Sequence, residues 1–149
     1  GVTPVPHGGG LARRPLTTSS AARKTCRAEL SRCLCGPPSS GGRNVGVRPM
    51  EMVLMGMGGC TSFDVMMMLK KARQQVTDCV AQLDAERSDE IPSVFTKIHI
   101  HFIVTGKALK ETQVKRAINL SADKYCSASI MLGKGGVEIT HDYEIVEAE

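Results

Sequence analysis

The chain is poor in aromatic side chains, with three phenylalanines, two tyrosines and no tryptophan among its 149 residues. Its core must therefore be built from Met, Val, Ile, Leu and Ala, and the length is sufficient for one domain with a sizeable core. No aromatic residue precedes Phe63, so the basic N-terminal part lacks the rings that accompany cations in many nucleic-acid-binding surfaces. We therefore expect no nucleic-acid partner.

Acidic residues are scarce at the start of the chain. The first fifty positions contain eight Lys/Arg and a single acid, Glu29, and residues 1–48 hold eight of the fifteen glycines and five of the seven prolines. Apart from a possible short helix at 21–34, this part shows neither strand nor helix periodicity. We predict that residues 1–40 form an atypical basic, Gly/Pro/Ser-rich segment, disordered or loosely packed, before a domain at 41–149. The composition also resembles that of an organelle transit peptide.

The chain contains six cysteines, at positions 26, 33, 35, 60, 79 and 126. Six would suffice for the disulfide framework of a small secreted protein. However, the sequence shows no apolar signal segment at its start and has material for a real core, so we expect a reducing, cytoplasmic setting. The cysteines at 26, 33 and 35 lack a fourth ligand at a suitable spacing, and we assign no metal site.

The most apolar run extends from residue 49 to residue 71 and holds seven of the eight methionines, with Cys60 at its centre. Pro49 suits the first turn of a helix, and Glu51 suits its positive end. The run predicts a helix of about six turns, buried in a core or a dimer because it is apolar nearly all round. A bilayer span has the same length, but Glu51 and Asp64 would be costly in lipid, so we expect no membrane association.

The remaining elements follow from periodicity. Alternation predicts strands at 76–86, 95–105 and 137–146, the first two forming an antiparallel hairpin. Helices are predicted at 109–120 and 122–132, with Ser121 as the N-cap of the second. This order predicts an α+β domain with a mainly antiparallel sheet and a long buried helix. Gly56 and Gly59 would let another helix or strand approach that helix near Cys60.

Several side chains on these strands have a plain structural interpretation. The pattern places Cys79 and His141 inward, where we interpret them as core residues. His99 and His101 share the outer face of one strand, and without an evident third metal ligand we interpret them as part of an exposed sheet surface.

Cys60 and Cys126 each lie among small residues and could form a two-thiol site that reduces peroxides. One thiolate would attack the peroxide and become a sulfenic acid, the other would condense with it to a disulfide, and a reductant would restore both. The alternative is that both are buried small hydrophobes. Asp64 follows Cys60 by one helical turn and could either hydrogen-bond near the active site or cap a neighbouring element. If ionised near Cys60, it would raise the pKa of that thiol.

Four segments resemble one known family: P-M-E at 49–51, G-G-C-T at 58–61, I-H-I-H-F at 98–102 and L-S-A-D-K-Y-C-S at 120–127. They are similar to the OsmC/Ohr family, the osmotically inducible protein C and organic hydroperoxide resistance proteins, over about residues 41–149. The methionine-rich helix suggests a less characterised branch. The resemblance implies an intertwined homodimer with two central helices packed together and an active site at each subunit boundary.

The resemblance also implies a function. It makes Cys60 the attacking thiol and Cys126 the resolving thiol of a hydroperoxide reductase that binds no cofactor and uses an external dithiol, of the lipoyl type in one branch. Glu51 would be a catalytic, orienting group, although it stands one position later than in the family pattern; the alternative is a helix-dipole partner. A non-catalytic small-ligand binding or stress protein is the alternative function.

The family's N-terminal strands, which carry a thiolate-stabilising arginine, are missing from or divergent in residues 1–40. Arg43 and Arg48 are the nearest substitutes for that arginine. A damaged copy that aggregates or is inactive is the third possibility, because absent strands would leave sheet edges unpaired.

Overall fold

The computed structural model describes residues 38–149. The predictions made for residues 1–37, including the short helix at 21–34 and the cysteines at 26, 33 and 35, lie outside the described residues. Residues 38–49 begin with a 3-10 turn at Pro38–Ser40, which the Gly41 amide closes by donating to the Pro38 carbonyl (3.0 Å). Asn44 adopts a left-handed φ of 50°, and its Oδ1 accepts a hydrogen bond from Arg48 Nη2 (3.0 Å).

Helix α1 spans Pro49–Lys71, as the sequence predicts. Its C-terminal end is closed by Arg73, which adopts a left-handed φ of 56°. The Gln74 amide donates to the Leu69 carbonyl (2.9 Å) and the Arg73 amide to the Lys70 carbonyl (3.0 Å). This is the Schellman pattern, with a residue other than glycine in the left-handed position.

The sheet has three strands, β1 (Gln75–Arg87), β2 (Phe95–Lys107) and β3 (Glu138–Glu147), in the spatial order β1-β2-β3. Strands β1 and β2 form the predicted antiparallel hairpin, with Leu83 opposite Ile100. Strands β2 and β3 are parallel, with Ile100 opposite His141. The sheet is therefore mixed, and the expected antiparallel pairing holds for one of its two strand pairs. The connection through residues 108–137 crosses the sheet and returns the chain in the same direction, as a parallel pair requires.

That connection contains helix α2 (Glu111–Leu120), a π-helical turn (Ser121–Tyr125) and helix α3 (Ser127–Lys134). The prediction that Ser121 caps a helix at 122–132 is wrong. Ser121 continues from α2 in a helical conformation, with φ −61° and ψ −51°. The residue with the extended conformation of an N-cap is Cys126, whose φ is −72° and ψ is 99°. Cys126 therefore lies at the start of α3 and not within a longer helix.

The core lies between α1 and the inner face of the sheet. It combines Met57, Val65 and Leu69 of α1 with the predicted inward residues of β2, namely Ile98, Ile100, Phe102 and Val104, and with Val114 and Ile118 of α2. Among the three glycines of α1, packing requires Gly58, because a Cβ there would lie 2.7 Å from Leu83 Cδ1 of β1. The hairpin thus packs closely against α1 two residues before Cys60.

Helix α1 is not buried all round within the described chain. Its buried residues are Met57, Gly58, Thr61, Val65 and Leu69. The opposite side, which we call the open face of α1, exposes Met52, Val53, Met55, Phe63 and Met67. The expected burial of the whole helix therefore holds for one side of it, and the other side is exposed among residues 38–149.

Helix α1 is also long and apolar enough to cross a bilayer, judged by length and composition alone, and 28% of its most apolar window is buried in the protein. Core helices of soluble proteins meet the same criterion. Its buried residues belong to the same core as those of the sheet and α2, which is how the core helix of a globular domain packs.

Candidate active site

Cys60 lies where the buried side of α1 meets its open face. At 3.6 residues per turn, Thr61 points to the buried side, while Phe63 and Met67 lie on the same side as Cys60. The Cys60 side chain is accordingly half-buried, whereas Thr61 is only 1% exposed. The thiol can therefore be reached from the open face while the next residue anchors the helix to the core.

Three functional groups meet at this point of the fold. Cys60 Sγ, Cys126 Sγ and a carboxylate oxygen of Asp64 all lie within 4.8 Å of one another. Asp64 is one turn beyond Cys60 on α1, and Cys126 comes from the start of α3. The structure thus brings together the two predicted cysteines and one acidic residue.

Cys126 occupies a buried position as the N-cap of α3. Its Sγ accepts hydrogen bonds from the Ser129 hydroxyl (3.1 Å) and from the Ser129 amide (3.4 Å). Burial raises the pKa of the Cys126 thiol, the two hydrogen bonds from Ser129 act to lower it, and the neighbouring Cys60 raises it further. The net effect raises the pKa of the Cys126 thiol, which favours its protonated form.

A buried hydroxyl pair holds the two cysteine-bearing segments together. The Thr61 and Ser121 hydroxyls share a hydrogen bond of 2.9 Å, and Ser121 Oγ also lies 3.3 Å from Asp64 Oδ2, to which it can donate. The Cys126 amide in turn donates to the Ser121 carbonyl (2.8 Å). Because Thr61 directly follows Cys60 and Ser121 anchors the turn that ends at Cys126, this network fixes the separation of the two thiols.

Sequence reasoning missed Ser121 and Ser129 as site residues, but it offered Asp64 as a hydrogen-bonding group near the active site, and the structure places Asp64 there. Ser121 was interpreted as a helix cap because Ser is frequent at that position, and its contact with Thr61 is a tertiary one. Asp64 carried a usable signal, since residues four apart on a helix are neighbours on its surface.

Glu51 lies away from this cluster along α1. It is exposed in the first turn of the helix, and a separation of nine positions from Cys60 corresponds to about 14 Å along the axis. Its orienting role stays a prediction. Arg48 contacts Asn44 within residues 38–49, and the role of the expected thiolate-stabilising arginine stays unassigned to Arg43 or Arg48.

Cys79 belongs to the core, as predicted. It lies in β1 and is 9% exposed, and burial together with the nearby Asp78 carboxylate raises the pKa of its thiol to about 11. A thiol with so high a pKa is a poor nucleophile at neutral pH. Cys79 is therefore a suitable control residue for thiol chemistry.

The histidines also lie where the strand pattern places them. His99 and His101 are on the outer face of the sheet, and each ring lies within hydrogen-bond distance of Asp142 Oδ1, at 3.2 and 2.7 Å. His141 is half-buried on the other face, and its Nε2 lies 3.1 Å from Asn119 Oδ1. All three rings thus have structural partners.

A shallow depression of about 350 Å³ lies along α1 beyond Cys60. Its lining includes Phe63, Met66 and Met67, and also Lys70 and Cys79. Phe63 and Met67 follow Cys60 by one and two turns on the same side of the helix. An apolar surface therefore extends from the half-buried thiol along α1.

The chain has clear relatives. Residues 40–142 match the family model of OsmC-like proteins. Protein YhfA of Escherichia coli K12 is 56% identical over 100 residues, which cover 67% of this chain and 74% of YhfA. The crystal structure of a hypothetical protein from Aquifex aeolicus VF5 is similar at 32% identity with a TM-score of 0.65, covering 70% of this chain and 77% of that one. The organic hydroperoxide resistance protein OhrB of Bacillus subtilis shares the fold at 17% identity with a TM-score of 0.51, covering 74% and 78%.

Proposed function

The chain belongs to the family of OsmC-like proteins, and from that premise we propose that it is a thiol-dependent peroxidase that reduces organic hydroperoxides. The observation that carries the proposal is the meeting of Cys60 Sγ and Cys126 Sγ within 4.8 Å. Two free thiols at this separation can form a disulfide after a modest side-chain rotation. Solved structures of the same fold include proteins named for organic hydroperoxide resistance.

The different burial of the two thiols supports their order of reaction. Cys60 is half-buried at the margin of the open face, whereas Cys126 is fully buried. The Cys60 thiolate attacks one peroxide oxygen, the O–O bond breaks, and the alcohol leaves with a proton, so Cys60 becomes a sulfenic acid. Cys126 then attacks the Cys60 sulfur, and the disulfide forms with loss of water.

An external dithiol completes the cycle. One of its sulfurs attacks the Cys60–Cys126 disulfide, the mixed disulfide is displaced by its second sulfur, and both cysteines return to thiols while the reductant leaves as a disulfide. A lipoyl-type dithiol is the expected reductant, and a cytoplasm that keeps thiols reduced is the expected location. The apolar surface of Phe63 and Met67 beside Cys60 favours peroxides with an organic group over hydrogen peroxide.

The proposal includes a homodimer formed through the open face of α1. This face exposes large apolar side chains, with Phe63 65% and Met55 52% exposed. A Cβ added at Gly56 or Gly59 would meet none of the neighbouring described residues within 4 Å, which leaves room for a second helix. Because Cys60 lies at the margin of this face, a second subunit would enclose the thiol.

The test is peroxidase turnover by the reduced full chain with cumene hydroperoxide and dihydrolipoamide. We expect Cys60→Ser to abolish turnover. We expect Cys126→Ser to allow one sulfenic acid per chain, trapped with dimedone, but no intramolecular disulfide. Cys79→Ala is the matched control and should retain turnover. Unchanged turnover in Cys60→Ser, or none in the intact reduced dimer, would refute the proposal, and retention of a bound apolar ligand without turnover would instead indicate a binding protein.

A further inference from the structure

Asp64 has no task in the peroxide chemistry described above, yet its carboxylate lies with both sulfur atoms of the site. All three potential ligand atoms are within 4.8 Å of one another. Asp64 and Cys126 come from different parts of the chain, and Ser121 orients both through its side chain and its carbonyl. A carboxylate placed so close to two thiols would repel their thiolates unless a cation lies between them.

The donor set is that of a thiophilic divalent cation. Zinc is bound by cysteine sulfur at about 2.3 Å and by Asp oxygen at about 2.0–2.2 Å, and many zinc sites use three protein ligands with a fourth position open. Two sulfur ligands of one zinc ion lie less than about 4.6 Å apart, so only small side-chain adjustments are needed here. Thiolates select against Mg²⁺ and Ca²⁺, which prefer oxygen ligands.

The surrounding hydrogen bonds are those that orient metal ligands. Ser121 Oγ is placed to donate to one carboxylate oxygen of Asp64, Oδ2 at 3.3 Å, and a carboxylate has a second oxygen for a metal. Ser129 donates from both its amide and its hydroxyl to Cys126 Sγ. Groups that hydrogen-bond to metal ligands fix the orientation of those ligands, and their loss commonly weakens metal binding by about 10–100-fold.

We propose that the reduced protein binds one Zn²⁺ ion per chain through Cys60 Sγ, Cys126 Sγ and the Asp64 carboxylate, with the fourth position open to water. Binding releases the two thiol protons to solvent and leaves the sulfurs as thiolates. Formation of the Cys60–Cys126 disulfide removes both sulfur ligands, so oxidation expels the ion. Zinc is therefore a reversible inhibitor that occupies the two thiols in competition with the peroxide.

The test uses the full chain with Cys26, Cys33 and Cys35 replaced by Ser, so that no thiol outside the described residues can contribute to the bound metal. Zinc is added to the reduced protein, the excess is removed, and the bound metal is titrated with a colorimetric chelator. We expect one zinc per reduced chain and none after oxidation to the disulfide with the thiol oxidant diamide. Equal zinc content in the two states would overturn the proposal without any substitution at the site.

Two variants then test the carboxylate ligand. Asp64→Asn should weaken zinc binding by about tenfold or more, whereas Asp84→Asn, an exposed acid on β1, should leave it unchanged. Unaltered zinc affinity in Asp64→Asn would overturn the three-ligand site. Circular dichroism of each variant shows that it is folded.

Cobalt substitution gives a readout that does not depend on turnover. Co²⁺ in the reduced protein should show thiolate-to-cobalt charge-transfer absorption, absent from Cys60→Ser and retained in Cys79→Ala. Absence of these bands in the parent protein would also contradict the proposal. These measurements contain no peroxide, so they succeed or fail independently of the peroxidase assay.

Discussion

Two surfaces of the described chain face water, and they are chemically opposite. The open face of α1 presents methionine, valine and phenylalanine side chains. The outer face of the sheet presents His99, His101, Asp142 and Glu144, with the Asp142 carboxylate within hydrogen-bond distance of both histidines and Glu144 3.8 Å from His101. The side chains on the outer face of the sheet hydrogen-bond to one another and are compatible with water, whereas the apolar side chains of the open face are not.

This chemical difference indicates that the open face of α1 is an interaction surface. Contiguous apolar surface is uncommon on monomers and marks interaction sites, whereas a polar strand face is the usual solvated side of a sheet. Cys60 lies at the margin of the apolar surface. The proposed chemistry therefore lies beside the surface through which the proposed dimer would form, while the outer face of the sheet stays in solvent.

The largest expected effect is on association through the open face. Phe63→Ala should weaken the dimer by about 2 kcal/mol or more, roughly a 30-fold rise in the dissociation constant, because buried aromatic side chains at interfaces are typical hot spots. Analytical ultracentrifugation over a dilution series measures the change. Val80→Ala, which truncates an exposed side chain of β1, is the control and should leave association unaltered. A Phe63→Ala dimer as tight as the parent would place the interface elsewhere.

A smaller effect is expected at Gly59. On an uncovered helix, Gly→Ala raises stability by up to about 1 kcal/mol. We expect Gly59→Ala to weaken the dimer instead, because its methyl group enters the space between the two copies of α1. Gly133→Ala in α3, where a Cβ would make an ordinary 3.9 Å contact with Ile139, should stabilise the chain without changing association. Equal behaviour of the two variants would argue against a helix packed at Gly59.

The smallest effect concerns the outer face of the sheet and the pH dependence of the stability that it contributes. The hydrogen bond with Asp142 raises the pKa of His101 from its ordinary 6.5. The resulting contribution to the stability of the folded protein is present below pH 6.5 and is lost as pH rises through the raised pKa. The hydrogen bond with His101 lowers the pKa of Asp142 from its ordinary 3.8, so this contribution is present above pH 3.8 and is lost as pH falls through the lowered pKa. His99 and Glu144 adjoin the pair and contribute in the same directions. The stabilisation is therefore complete between about pH 4 and pH 6.5.

Urea denaturation across this range, compared between the parent and Asp142→Asn, measures that contribution. The stability difference between the two proteins should be greatest near pH 5 and smaller at pH 9. It should also be modest, because these side chains are exposed and solvent screens them. A difference that does not vary with pH would mean that the outer face of the sheet is held by its neutral hydrogen bonds alone.

Local patterns in the sequence determined the helices and strands. The bounds of α1 were predictable because Pro49, Glu51 and the lysines at 70 and 71 mark the two ends of a long apolar run. The direction of β3 was not predictable, because side-chain alternation has the same period in parallel and antiparallel strands. The position of Cys126 was not predictable either, because the π-helical turn at Ser121–Tyr125 shifts the start of the next helix by several residues.

By itself the sequence determined that the chain is an α+β domain with Cys60 on a long apolar helix. Only the tertiary structure decided that Cys60, Cys126 and Asp64 meet, that Ser121 links them, and that one side of α1 stays open. The physical reason is the separation along the chain over which the interactions act. Periodicity and capping record interactions between near neighbours in the chain, whereas the two-thiol site and the open face depend on how α1 packs against the sheet and the segment that carries Cys126.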